Sequence, residues 1–174
     1  MLKRALQNFA VLAAAVPFAL AVPAPALAFD SPPVTAATFD SVHFESPEAE
    51  LMSKIVTKTN QQRNAAGCGQ LDVDQELIVA SKKQSRYMAR TGNFSHIGRG
   101  GSTFAGRAHA AGYAAPAAEN IAWGFDSATE VMTAWMASPA HRDNILNCDA
   151  RSIGTGVSYS EDGTPYFTQV FGWR

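Results

Sequence analysis

The C-terminal segment constrains the fold more than any other part of the chain. Residues alternate in character from 153 to 159, the turn sequence EDGT follows, and a second run, YFTQVF, occupies 166–171. This pattern predicts a β-hairpin. Aromatic side chains stand on both faces of the returning strand, which is typical of a strand covered on both sides. We therefore expect helices outside a sheet, in an α/β/α layering.

Four helices are predicted before residue 138, because polar N-cap residues recur there and glycines follow three of the helices. Their starts and stops are Ser46 and Gly67, Asp72 or Asp74 and Gly92, Ser102 or Thr103 and Gly112, and Ser127, which opens a capping box with Glu130. A third strand is expected at 120–123, since two strands alone seldom form a stable sheet.

The first 28 residues have the pattern of a secretory signal peptide. Two basic residues, Lys3 and Arg4, precede an apolar run from Phe9 to Val22, and the small-x-small sequence ALA follows at 26–28. The run is interrupted by prolines and is shorter than the roughly 20 residues that a membrane-spanning helix needs. We expect cleavage after Ala28, an extended leader at 29–45 and one domain at 46–174, in a secreted or periplasmic protein without a transmembrane anchor. A retained anchor is the alternative.

The charge balance disfavours nucleic acid as a partner. The formal net charge is −1, and removal of Lys3 and Arg4 would make it −3. No basic excess would then remain to meet phosphates.

Cys68 and Cys148 are the only cysteines of the chain. In an oxidising compartment they are expected to form a disulfide. The closed loop would stabilise the fold by roughly 4 kcal/mol in the chain-entropy model. Two buried free thiols are the alternative.

His141 lies in the sequence SPAHRDNIL, at the start of a predicted helix. Pro139 suits the first helical position, so Ser138 becomes the N-cap, and its hydroxyl would accept the N–H of His141. The positive end of the helix dipole favours a neutral imidazole, able to bind a metal or accept a proton. The alternative is a histidine without a chemical role.

His96 and Glu119 complete the set of candidates. His96 follows the predicted helix stop at Gly92, and Glu119 enters a predicted buried strand, where a carboxylate needs a partner such as His96 or His141. Two histidines and a carboxylate can hold Zn²⁺ with water in the fourth position, although their separations match no known spacing motif. The remaining histidines, His43 and His109, are expected to be solvated.

Six segments resemble, in chain order, the CAP superfamily of cysteine-rich secretory proteins, antigen 5 and plant pathogenesis-related proteins, and most closely its bacterial secreted branch. They are RTGNFSH, AGY, AENIAWG, WMASPAHRDNIL, IGTGVSY and YFTQVFG. The resemblance implies an α+β fold, a three-layer α/β/α sandwich with a central antiparallel sheet. It also implies a surface cleft that gathers two histidines and two acids.

His96, Glu119 and His141 match three of these four family positions. The second acid is missing, because Ser138 stands where eukaryotic members have a glutamate, three residues after the tryptophan of the fourth helix. Glu130 is a poor substitute, since it points off that helix face and its capping-box role already explains it.

The resemblance implies a modest function, because some members bind zinc or another divalent ion, others bind sterols or lipids, and no general enzymatic activity is established. We expect a monomeric, non-enzymatic binding module whose cleft, formed by His96, Glu119, His141 and Ser138, takes a divalent metal or a small-molecule, lipid or cell-envelope ligand. The alternative is a metal-assisted hydrolase of an envelope or secreted polymer, with His96 and His141 as zinc ligands and Glu119 as general base.

Overall fold

The computed structural model describes residues 46–174, which form five α-helices and a four-stranded sheet. The elements are α1 (Pro47–Ala65), β1 (Asp72–Val73), α2 (Gln75–Thr91), α3 (Phe104–Ala111), β2 (Pro116–Trp123), α4 (Ala128–Ala137), α5 (Pro139–Ile145), β3 (Ser152–Tyr159) and β4 (Pro165–Gly172). The predicted signal peptide, the predicted leader and His43 lie outside the described residues. Within the described range, no helix has the length and apolar character needed to cross a bilayer.

The strand order is β1-β3-β4-β2, with antiparallel pairing between β3 and β4 and between β4 and β2. All eight residues of β4 are buried, so the prediction of a strand covered on both faces is confirmed. The two-residue strand β1 pairs in parallel with β3. The sheet is therefore mixed at this edge rather than wholly antiparallel. Strand β1 was not predicted, because a strand this short leaves no alternating pattern in the sequence.

Alternate side chains of β4 enter two different cores. Phe167 and Phe171 pack with residues of α1, α4 and α5. Val170 packs with residues of α2 and α3. Three helices thus cover one face of the sheet and two cover the other, which confirms the three-layer sandwich.

Helix α2 lies unusually close to β3, because β3 presents glycines to it. A Cβ atom at Gly156 would lie 2.5 Å from the backbone of Ser81 and Lys82. The Ser81 hydroxyl donates to the carbonyl of Gly154 at 2.9 Å. This contact fixes the position of α2, and with it the start of the loop that carries His96.

The predicted helix starts are confirmed at atomic detail. The side chains of Ser46, Asp74, Thr103 and Ser127 each accept a hydrogen bond from a backbone N–H in the first turn of α1, α2, α3 and α4. Gly92 and Gly112 end α2 and α3 in the left-handed conformation that glycine adopts most readily.

The predicted disulfide between Cys68 and Cys148 is present and spans 80 residues of sequence. The fully buried guanidinium of Arg63, near the end of α1, lies beside it. Arg63 donates to four backbone carbonyls on the two segments that the disulfide joins, those of Gly69, Ile145, Asn147 and Ala150. Covalent and hydrogen-bonded links therefore hold the same two segments together.

Candidate functional site

Glu119, on β2, joins His96 and Arg107 in one network. Its side chain is only 1% exposed. Oε1 lies 2.9 Å from Nδ1 of His96, and Oε2 accepts a hydrogen bond of 2.6 Å from Nη2 of Arg107. The partner that a buried carboxylate requires is therefore His96, together with an arginine that the sequence did not single out.

Arg107 is the functional residue that sequence reasoning missed. Its side chain is 5% exposed, and besides Glu119 it reaches two backbone carbonyls of the preceding loop. Nη1 donates to Ser102 at 2.7 Å and to His96 at 3.2 Å. Arg107 thus holds both the carboxylate and the backbone of the histidine that faces it. The one sequence feature that pointed to Arg107 was the buried acid, because a buried carboxylate needs a cation as its partner. That feature could not identify Arg107, since six basic residues lie between 77 and 118.

The ring of His96 is oriented by the carboxylate and remains half exposed, at 53% of its side-chain surface. Because Nδ1 faces Glu119, Nε2 is the ring nitrogen that can meet a ligand. A carboxylate behind a histidine in this way is the usual arrangement around metal-binding imidazoles, where it fixes ring orientation and tautomer.

His141 lies on α5, and its backbone carbonyl accepts a hydrogen bond of 3.1 Å from Nδ2 of Asn120. Burial lowers the pKa of His141, and the charge of nearby His96 lowers it further. The direction agrees with the predicted neutral ring, and its causes are burial and a second imidazole. The two histidines are thus close enough for their charges to interact.

Ser138 begins α5, as predicted, but its hydroxyl makes no capping hydrogen bond. The expected bond to the N–H of His141 was wrong because Ser138 also ends α4. Its N–H donates to the carbonyl of Trp135 at 3.1 Å, and its own carbonyl accepts the N–H of Arg142 at 2.9 Å. The backbone of Ser138 therefore joins the two helices without a capping bond from the hydroxyl, and the residue lines the adjoining cleft.

A buried polar network on the other face of β2 supports α5. Asn120 donates to Oε1 of Gln169 at 3.1 Å as well as to the carbonyl of His141, and it accepts from Asn144 at 2.8 Å. Gln169 in turn donates to the Thr59 hydroxyl at 2.7 Å. The position of His141 is therefore tied across the sheet to α1.

An apolar cleft of about 410 Å³ lies against β2, α4 and the start of α5. Its walls include Phe94, Ile121, Trp123 and Phe125, and its polar lining comes from Ser138 and His141. Trp123 is 53% exposed and Phe94 45%, with ring centroids 6.4 Å apart. Two of the predicted site residues therefore line the cleft, whereas His96 and Glu119 lie outside its lining.

The predicted metal site has fewer ligands than a catalytic zinc site requires. Within residues 46–174, no group of three or more His, Cys, Asp and Glu side chains is arranged to hold a metal ion. Glu130 is engaged at the start of α4, where its N–H donates to Ser127 and its carboxylate accepts from the N–H of Asp126. It therefore has the capping role expected for it. His109 is exposed, as predicted.

Comparison with known proteins places this geometry in context. A sequence model of the cysteine-rich secretory protein family, CAP, matches residues 56–171. The uncharacterized protein YkwD of Bacillus subtilis (strain 168) is 35% identical over 120 residues, which are 68% of this chain and 46% of that protein. The chain thus spans less than half the length of this relative.

Two solved structures share the fold. An extracellular protein containing a SCP domain from Bacillus anthracis is 26% identical with a TM-score of 0.66, over 73% of this chain and 41% of that one. An outer surface protein from Borrelia burgdorferi is 24% identical with a TM-score of 0.65, over 72% of this chain and 93% of that one.

Proposed function

The chain belongs to the CAP family of cysteine-rich secretory proteins, and on this premise we propose that it is a non-enzymatic binding module whose apolar cleft takes a lipid-like ligand. The ligand would have an apolar body and one hydroxyl or carboxyl head group. Export from the cell, by the predicted signal peptide, is part of the same proposal.

The composition of the cleft is the observation that carries this proposal. A volume of about 410 Å³ lies within the range of small-molecule sites, which are mostly apolar with a few polar groups that fix orientation. The Ser138 hydroxyl and the imidazole of His141 supply those groups here. Since its pKa is lowered, the ring can donate one hydrogen bond and accept another without a charge.

The environment of Glu119 favours binding over hydrolysis. A general base must reach the proton that it abstracts, directly or through one water. Both oxygens of Glu119 already accept hydrogen bonds, from His96 and Arg107, and the side chain is 1% exposed. The carboxylate is thus better suited to orienting His96 than to activating water.

The two histidines also fit a weak site for a divalent cation such as zinc. Nε2 of His96 and the neutral ring of His141 are the nitrogen donors that such an ion prefers, with Glu119 behind the first ring. Two protein ligands are fewer than zinc sites usually have, so we expect lower affinity than in structural or catalytic centres. A bound ion would supply positive charge for an acidic head group.

The ligand proposal can be tested with dansyl undecanoate, a fluorescent fatty acid. We expect saturable binding with energy transfer from tryptophan to the dansyl group. Ala134→Phe fills the cleft and should weaken binding roughly tenfold or more, since it occupies space that the ligand needs. Ala137→Phe is the matched control, because the same substitution on an exposed position of the same helix leaves the cleft open. Equal affinity of the two variants would contradict the proposal.

The metal proposal has a separate test, a calorimetric titration with zinc. His96→Ala and His141→Ala should each abolish the heat of binding, whereas His109→Ala, at an exposed histidine, should leave it unchanged. A wild-type protein that releases no heat would remove the metal from the proposal and leave the fatty-acid result unaffected.

A further inference from the structure

Basic residues are unevenly distributed along the chain, and neither the apolar cleft nor the two histidines of the candidate site accounts for this distribution. Basic and acidic residues are equally numerous in residues 46–174, yet the stretch from 77 to 118 has six basic residues and no acidic one. Arg107 is committed to Glu119 inside the protein. The other five lie on α2 and in the loop that follows it: Lys82, Lys83, Arg86, Arg90 and Arg99.

Four of these cations line a second cleft, of about 480 Å³. Lys83, Arg86 and Arg90 follow one another along the outer face of α2, and Arg99 comes from the loop; Tyr87 and Thr91 complete the lining. The ion pairs within residues 46–174 join Lys54 to Glu50 and His96 and Arg107 to Glu119. Within this range, therefore, no carboxylate forms an ion pair with a cation of the second cleft, and none lines it.

The loop that supplies Arg99 is held firmly in place. The N–H of Gly98 donates to the carbonyl of Ser102 at 2.8 Å, and the same carbonyl accepts Nη1 of Arg107 at 2.7 Å. A Cβ at Gly98 would crowd the Gln84 side chain and lie 2.9 Å from the Ser102 hydroxyl and 3.0 Å from Arg107, so a larger residue there would require these side chains to move. The buried side chain of Gln84 on α2 donates to the carbonyl of Ser95 in the same loop. These contacts hold the loop, and with it Arg99, next to α2.

In the absence of a ligand, the positive charges that line the second cleft repel one another. Arg86 and Arg90 are one turn apart, a spacing at which like charges destabilise a helix. The C-terminal end of α2 carries about half a negative charge, which offsets only a small part of four formal positive charges. An anion in the cleft would relieve the repulsion.

We propose that the second cleft binds a phosphate ester of small-molecule size. Guanidinium groups match phosphate oxygens with two parallel hydrogen bonds, and three of them line this cleft. The volume suits a small molecule, and Tyr87 adds an aromatic side chain to the lining. A concave basic site on a domain with no net basic excess favours this ligand over nucleic acid or a membrane surface, which would require a broad basic face. The site is independent of the apolar cleft.

Calorimetry with glucose 6-phosphate tests the proposal, with glucose as the neutral probe. We expect saturable binding of the phosphate ester and none of glucose. Arg86→Gln and Arg90→Gln should each weaken binding roughly tenfold, because each removes a charge-assisted hydrogen-bonding group. Arg142→Gln, which removes an exposed arginine elsewhere, should change affinity about twofold or less. Urea denaturation of each variant verifies that the fold is retained.

Four results would overturn this inference. The first is that Arg142→Gln weakens binding of glucose 6-phosphate as much as Arg86→Gln and Arg90→Gln do, and the second is that glucose binds. The third is that glucose 6-phosphate shows no saturable binding, and the fourth is that sodium sulfate competes as strongly as glucose 6-phosphate. Tighter binding of a short DNA duplex or of phosphatidylglycerol vesicles, lost in Arg86→Gln, would replace the small molecule with a macromolecular anion. Ala134→Phe should leave phosphate binding intact, which separates this site from the fatty-acid cleft.

Discussion

At the scale of single residues, the buried carboxylate of Glu119 determines how the loop with His96 is held. A buried charge is strongly unfavourable unless it is paired and hydrogen-bonded. Arg107 satisfies one oxygen of Glu119, and His96 lies against the other. Because Arg107 also binds the loop carbonyls of Ser102 and His96, one guanidinium neutralises the acid and fixes the loop around it.

Replacement of Arg107 should therefore be severe. Arg107→Met keeps much of the aliphatic stem but leaves a buried carboxylate without its cation, and we expect the free energy of unfolding to fall by about 3–5 kcal/mol. Arg107→Lys should recover part of this loss, because an ammonium restores charge without the planar fork. Urea denaturation at neutral pH measures both.

The control for this substitution is Arg142→Met, at an exposed position of α5. It should change the free energy of unfolding by about 0.5 kcal/mol or less. A similarly small effect of Arg107→Met would mean that Glu119 is held by the histidine and the backbone instead.

The same network shows how far residue-level prediction reaches. The contact of Glu119 with His96 could be anticipated, since an acid in a buried strand needs a partner and His96 was one of two candidates. The choice of Arg107 could not, because nothing in its spacing distinguishes it from the cations that remain exposed. The hydroxyl of Ser138 was misjudged for a related reason, since a serine between two adjoining helices is fixed by its backbone.

At the scale of elements, the closeness of α2 and β3 has a specific origin in Gly154 and Gly156. Gly156→Ala would place a methyl group 2.5 Å from the backbone of Ser81 and Lys82, and backbone atoms cannot rotate aside as side chains do. We expect the free energy of unfolding to fall by about 3 kcal/mol, the upper end of the range for overpacked cores. Thermal or urea denaturation is the measurement.

Gly69→Ala is the matched control, because a Cβ at Gly69 would meet no heavy atom within 4 Å. It should change stability by about 0.5 kcal/mol or less. If Gly156→Ala were equally mild, α2 would be free to shift on the sheet, and its packing would not position the loop with His96.

Elements with strong local signals were predictable and weak ones were not. The helix starts with polar caps, the glycine stops of α2 and α3, and the terminal hairpin all follow from short-range chemistry that the sequence displays. Strand β1 has two residues, too few for any period. The amides of Asn120 and Gln169 are buried at positions where the local pattern would predict apolar side chains. They hydrogen-bond to each other only because the strands that carry them pair in the sheet.

At the scale of the whole molecule, two independent devices hold the end of α1 to the segment after α5. The disulfide between Cys68 and Cys148 acts mainly on the unfolded chain, by shortening the loop between its ends. Arg63 acts on the folded protein, through its hydrogen bonds to four backbone carbonyls. The pairing of the cysteines was predictable from composition, whereas the role of Arg63 required the fold.

These two devices should be separable by mutation. The double variant Cys68→Ala/Cys148→Ala should lose up to about 4 kcal/mol of stability, because its unfolded state regains the entropy of an open loop, but it should still fold, since Arg63 keeps the native contacts. Urea denaturation of the wild-type protein in excess dithiothreitol should give the same midpoint as the double variant. Arg63→Met, in contrast, should destabilise the protein with the disulfide intact, because four carbonyls lose this donor. A double variant that fails to fold, while Arg63→Met is as stable as the wild type, would show that the covalent link alone holds this end of the sandwich together.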